Sequence, residues 1–168
     1  MLTRLLTLEA FAHYPLAGAI AAVLNQLRGP VSQGVFPRLT QLAESGDVAA
    51  SAALYHKASQ LVALVTVPPA AMLVAFAHPV LRAWTGDDVL ASAVAPLLQL
   101  LVIGSAFNSF LSVPYSLQLA HGWTKLSFVS NLVALPLVLG GLLVFVPRFG
   151  ALGAACVWAA YTGGALLI

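Results

Sequence analysis

One arginine stands inside an apolar stretch early in the chain, and its neighbours are polar at helical spacing: Leu24-Asn25-Gln26-Leu27-Arg28-Gly29-Pro30-Val31-Ser32-Gln33. Residues three and four apart share a helix face, so Asn25, Arg28, Gly29 and Ser32 form one stripe, with Gln26 and Gln33 at its sides. A guanidinium offers two parallel hydrogen bonds to a phosphate. Such a stripe suits a helix that lines a water-filled cavity and receives an anion there. Placing an arginine at mid-membrane costs about 2.5–3.5 kcal/mol on insertion scales, so the residue calls for a partner. Two plainer arrangements answer the same need: the side chain snorkels to an interface, or it pairs with a carboxylate elsewhere. Candidate substrate-binding residues are therefore Arg28, Asn25, Ser32 and Gln33.

Other chemistry-bearing groups are scattered. Asn108 and Ser109 in one apolar run and Asn131 in another read more readily as interhelical hydrogen-bonding groups than as ligand contacts. His13, His56, His78 and His121 fall in different segments, and no two have the spacing of helix-borne metal ligands. No metal site or cofactor is expected. The single cysteine, Cys156, excludes an internal disulfide and any cysteine-only metal site. There is no H-E-x-x-H, no G-x-S-x-G, no phosphate-cradling glycine loop and no pair of intramembrane aspartates. Asp87 and Asp88 are adjacent, which suits turn capping better than shared catalysis. The chain reads as a non-enzyme.

The elements that must position the arginine stripe are membrane helices. Hydrophobic residues make up 61% of the 168 residues and charged residues only 7%, whereas soluble proteins carry about 25% charge. Seven Lys/Arg and five Asp/Glu cannot cover a fold of this size with water-facing charge. The net charge of +2 comes without any basic run, so nucleic acid has no electrostatic footprint here. A spanning helix needs about 20 apolar residues. Five runs approach that length, at 16–39, 54–76, 92–119, 126–146 and 151–168, which predicts an all-α, polytopic transmembrane helical bundle.

Polar breaks separate the runs: residues 40–51, 84–88, 121–125 and 147–150. Asp47 is placed to cap the helix that carries Leu54 and Tyr55. Trp84 and Trp123 lie beside breaks, at the expected headgroup level. Pro30, Pro68, Pro69, Pro96, Pro114 and Pro136 lie inside runs, where membrane helices tolerate them as bends; bends around a cavity and kinks for packing are both open readings. Gly18 with Ala22, and Gly150 with Ala154, have the spacing that lets helices approach closely. Arg38, Lys57 and Lys125 on one side balance Arg82, Arg148 and Arg4 on the other, so the positive-inside rule gives no orientation. With no clear leader near Met1, where Arg4, Glu9 and His13 interrupt the sequence, and an apolar run that reaches Ile168 without a polar flank, the chain reads as a piece cut from a longer protein.

A resemblance adds to this reading. Val35-Phe36-Pro37-Arg38-Leu39-Thr40-Gln41-Leu42, then Gly46-Asp47 and Leu54-Tyr55-His56-Lys57, resemble the polysaccharide-biosynthesis (O-antigen) flippases of the multidrug/oligosaccharidyl-lipid/polysaccharide exporter superfamily, which is MATE-like. Matches continue in order through Phe76-Ala77-His78-Pro79-Val80-Leu81, Trp84-Thr85-Gly86-Asp87, Pro114-Tyr115-Ser116-Leu117-Gln118-Leu119-Ala120, Gly122-Trp123-Thr124, Phe149-Gly150-Ala151-Leu152-Gly153-Ala154-Ala155 and Trp158. The resemblance implies a multi-pass protein of the bacterial inner membrane with two helical lobes around a cavity. Its activity would be alternating-access movement of a polyprenyl-pyrophosphate-linked glycan for lipopolysaccharide or exopolysaccharide assembly. Residues 1–168 would then be a partial C-terminal lobe, working with membrane lipid and an N-terminal lobe not in this sequence, and the Arg38, Lys57 and Lys125 side would face the cytoplasm. A multidrug antiporter of the same superfamily, an intramembrane glycosyltransferase or polymerase fragment, and a gene remnant are the alternatives. The first should carry a coupling carboxylate, and no carboxylate lies in these runs.

Overall fold

The computed structural model describes residues 8–167; Arg4 and Ile168 lie outside the described residues. Within them the chain is all-α. It forms α1 (Leu8–Ser45), α2 (Val48–Ala75), α3 (Ala77–Thr85), α4 (Asp88–Phe110), α5 (Ser112–Ala120) and α6 (Thr124–Gly164), with a 3-10 turn at Ala165–Leu167. Three stretches are long and apolar enough to cross a membrane: α2, α4 with α5, and α6. Helix α1 has the length, but its polar stripe leaves it less apolar than these three.

Helix boundaries follow local chemistry. The Asp47 carboxylate accepts from the Ala50 N–H at 2.9 Å, which starts α2 as the spacing predicts. Asp87 accepts from the N–H groups of Val89 and Leu90 at 2.8 and 3.1 Å and starts α4, so capping is its observed role. Residues 40–45, expected to lie in a polar break, instead continue α1 to Ser45. The Thr40 and Ser45 hydroxyls fold back onto the carbonyls of Phe36 and Leu42, so the helix simply runs on past its apolar part. Pro15, Pro30 and Pro37 lie within α1, and Pro68 and Pro69 within α2. Each removes a backbone donor. The segment after α2 is a separate short helix, α3, whose buried residues Ala77 and Leu81 face the bundle while Trp84 is largely exposed.

Helix α4 is the centre. Val94, Leu98 and Val102 are fully buried among Ala17, Ile20, Ala21 and Leu24 of α1, Ala70 of α2, Leu81 of α3 and Ala155 of α6. Helix α6 packs on it through missing side chains. A carbon added to Gly104 would meet the Trp158 indole, and one added to Gly163 would meet the Phe107 ring.

Helix α6 is two arms. Gly150 has φ 59° and ψ −134°, a non-helical conformation that L side chains rarely adopt. A carbon added to Gly141 would lie 3.0 Å from Val157 Cγ1, and one added to Gly153 would collide with the Phe145 carbonyl. Residues 141 and 157 would be about 24 Å apart on a straight helix, so the arms 124–149 and 151–164 form an antiparallel hairpin. Close approach thus occurs at Gly104, Gly141, Gly153 and Gly163. At Gly18 an added carbon would meet nothing within 4 Å, so the Gly18–Ala22 pair makes no tight contact of the expected kind, and Gly150 serves as the turn.

Candidate functional site

The arginine stripe lies where α1, α2 and the junction of α4 with α5 meet. The turn at Gly46 and Asp47 is short, so α1 and α2 run back along each other, and residues equidistant from it lie at one level. A small apolar cluster records this register: Val31 and Val35 of α1 pack with Tyr55, Ala58 and Val62 of α2, and with Phe110 and Val113 from the α4–α5 junction. One turn further from the connection on each helix, Arg28 and Thr66 come close to a common level. Thr66 is fully buried, and its hydroxyl has no hydrogen-bond partner.

Arg28 is partly buried. Its Nε donates to Asn25 Oδ1 at 3.2 Å, and its Nη1 donates to the backbone carbonyl of Asn108 at 3.4 Å. The first bond aims the guanidinium; the second crosses to α4. Asn108 is in the last turn of α4, whose final four carbonyls lack intrahelical donors. A cation is favoured there by the helix dipole. The cause of the break is Pro114: it has no N–H for the Phe110 carbonyl, and its ring crowds that oxygen. Helix α4 therefore stops at Phe110, and α5 restarts at Ser112.

Of the residues predicted from spacing, Asn25 and Arg28 are joined directly. Ser32 sits one turn along the same face, its hydroxyl buried with no hydrogen-bond partner. Gln33 and Gln26 are exposed. Asn108 takes part through its backbone oxygen, and Ser109 donates to Ser105 O within its own helix. Asn131 is exposed. The guanidinium carries five N–H donors, two of which are engaged, and among the described residues its partners are uncharged oxygens.

Sequence reasoning overlooked a line of serines. Ser105, Ser109, Ser112 and Ser116 are all buried, and their hydroxyls back-bond along the break: Ser109 to Ser105 O at 2.9 Å, Ser112 to Ser109 O at 2.7 Å, Ser116 to Ser112 O at 2.9 Å. Their three- and four-residue spacing was the available signal. Beside the junction lies a cavity of about 440 Å³ lined by Tyr55, Ser59, Val62, Phe110, Pro114 and Gln118, among others. At the far end of α4, Asp88 lies 3.4 Å from Arg82 and 3.6 Å from His78; these exposed pairs tie α3 to α4. No group of three metal-ligating side chains occurs among the described residues.

Residues 30–144, more than half of the chain, match the MatE family. The chain belongs to the MatE family. Over 150 residues it is 25% identical to the "Putative O-antigen transporter" of Shigella flexneri, covering 89% of this chain and 35% of that protein. The chain thus spans about a third of that relative's length. No solved structure matches it. The MatE match begins at Pro30, so Ser32, Gln33, Asn108 and the α4–α5 break lie inside the matched segment, with Asn25 and Arg28 just before it. The superfamily resemblance read from the ordered sequence matches is borne out.

Proposed function

We propose that this MatE-family chain forms part of one lobe of a transporter that moves a polyprenyl-pyrophosphate-linked oligosaccharide across the bacterial inner membrane for surface polysaccharide assembly. A second lobe faces it across the cavity, and the protein is a carrier with no chemical step of its own. One observation carries the reading: among the described residues, the partly buried Arg28 guanidinium has only neutral oxygens as partners, and it has spare donors. An uncompensated charge at this depth costs about 2.5–3.5 kcal/mol, and a pyrophosphate offsets that cost through charge-assisted bonds. Asn25 orients the guanidinium, and the Ser32 hydroxyl offers a further donor on the same face. The O-antigen role in the relative's name supports an anionic lipid-linked substrate.

The test is Arg28→Ala in the full-length protein, expressed in cells lacking their own O-antigen transporter. Membrane insertion should be unchanged, and O-antigen on the cell surface should be lost. Normal surface polysaccharide with Arg28→Ala would sink the reading. Drug resistance conferred by the intact protein, with no polysaccharide effect, would favour the multidrug antiporter.

A further inference from the structure

We infer that Arg28 is a latch as well as a ligand group: it holds the α4–α5 break through the Asn108 carbonyl, and an anionic phosphate headgroup draws it off, so that occupancy of the site is transmitted to the bend of the central helix. This rests on the reading that Arg28 receives the headgroup, and it adds how binding would move the lobe.

Three features support it. First, the bond crosses from α1 to α4 between residues 80 apart in sequence, so among the described residues it ties two elements that otherwise meet by packing. Second, it is long, at 3.4 Å, and its acceptor is neutral. A phosphate oxygen is a stronger acceptor for a guanidinium, since bonds between charged partners are shorter and about twice as strong. The exchange therefore favours the ligand. Third, the acceptor lies at the break. The helical donor for the Asn108 carbonyl is the N–H of Ser112, the first residue of α5, and the hydroxyls of Ser109, Ser112 and Ser116 occupy the neighbouring carbonyls of Ser105, Ser109 and Ser112. Side chains back-bonding in this way bend helices. The break is thus held by groups that can re-pair within the helix, and Arg28 holds the Asn108 carbonyl beside it from α1 until the ligand draws the guanidinium off.

The α4–α5 rod is the element best placed to transmit such a change. It carries most of the core, and α1, α2, α3 and α6 all pack against α4. A change of angle at Leu111 moves α5 relative to this core, and with it the wall of the cavity that Phe110, Pro114 and Gln118 line.

The experiment places spin labels at both exposed ends of the rod, through Val89→Cys and His121→Cys in a Cys156→Ser background, in the full-length protein. The protein is reconstituted in phosphatidylcholine vesicles alone, with phosphatidylglycerol, or with undecaprenyl pyrophosphate. Binding is read separately from the label distance. Undecaprenyl pyrophosphate should shift the distance toward the value that Arg28→Met shows in phosphatidylcholine alone. A shift of the same size with phosphatidylglycerol would show that any anionic lipid headgroup releases the latch; a shift confined to undecaprenyl pyrophosphate would show that the pyrophosphate does. Either supports the latch. Arg28→Lys, which keeps the charge but loses the fork, should show the Arg28→Met distance without ligand, and covers the case in which Arg28→Met fails to fold. Pro114→Ala restores a donor for the Phe110 carbonyl and so bridges the break; it should show no ligand-dependent shift. If the lipid binds in an Arg28-dependent manner while the distance stays fixed, the latch is overturned and the headgroup reading stands. If binding does not depend on Arg28, both fall.

Discussion

Helices α4 and α6 are both long and apolar enough to cross a membrane, yet 44% of the most apolar stretch of Asp88–Ala120 is buried, against 6% in Thr124–Gly164. Along the arm 124–149 only Val146 is buried, while Leu132, Val133, Leu135, Leu137 and Phe145 are exposed. The two regions are nearly the same to a hydropathy scale and opposite in surroundings. What separates them is where the small and hydroxylated residues fall. Helix α4 buries Ala91, Ala95, Gly104, Ser105 and Ser109, whereas the arm turns large aliphatic side chains outward. Lipid tails are as apolar as leucine, so helices in a bilayer associate by close packing and hydrogen bonds. The protein-facing surface is therefore the smaller and slightly more polar one, and the lipid-facing surface the greasier.

Substitutions can break this contrast. The largest effect is expected at Gly153→Leu, where the added carbon meets the Phe145 backbone carbonyl. Backbone cannot move aside as a side-chain tip can, and the hairpin should lose about 3 kcal/mol or more, seen as a lower unfolding temperature in detergent. An unfolding temperature equal to that of the unsubstituted protein would mean that the two arms do not pack as a hairpin. Leu135→Arg puts a charge on the exposed, mid-arm surface and should cost about 2.5–3.5 kcal/mol of insertion. A glycosylation-mapping assay reads this as a reduced inserted fraction, and full insertion would mean that the position faces a polar cavity. Leu98→Ala, at a fully buried α4 position, should cost about 2 kcal/mol, mostly through the cavity left behind, and chemical denaturation checks it. Leu135→Ala sharpens the contrast from the other side, with an expected change within about 0.5 kcal/mol in the same denaturation series. Equal effects at Leu98 and Leu135 would erase the distinction between the regions.

The fold class was legible because composition alone requires a non-aqueous surround. Aspartate caps were legible as well, since Asp47 and Asp87 stand directly before apolar runs and act through backbone groups nearby. The start of the site could be read from Arg28, as a charge in an apolar helix is conspicuous, and Asn25 sits three residues before it. The other half of the site could not. Arg28 meets α4 at a backbone oxygen, and every residue has one; Asn108 is marked only by standing in the turn before a break whose cause, Pro114, reads first as a kink. The serine line escaped notice because the hydroxyls of Ser109, Ser112 and Ser116 are satisfied by backbone carbonyls three or four residues earlier, leaving a mildly apolar surface. The separation of α3 from α2 at Phe76 follows from Pro79, which has no N–H for the Ala75 carbonyl; the apolar run through Phe76 hides that break from a hydropathy reading.

The Gly150 turn has a consequence for how the chain is made. With its arms complementary at Gly141–Val157 and Gly153–Phe145, the hairpin closes through contacts local in sequence, which form early and fast. The connecting residues 147–150 contain one charge, Arg148. The tip is therefore nearly free of charge, and the fold of the pair is written in residues no more than sixteen apart, 141 to 157.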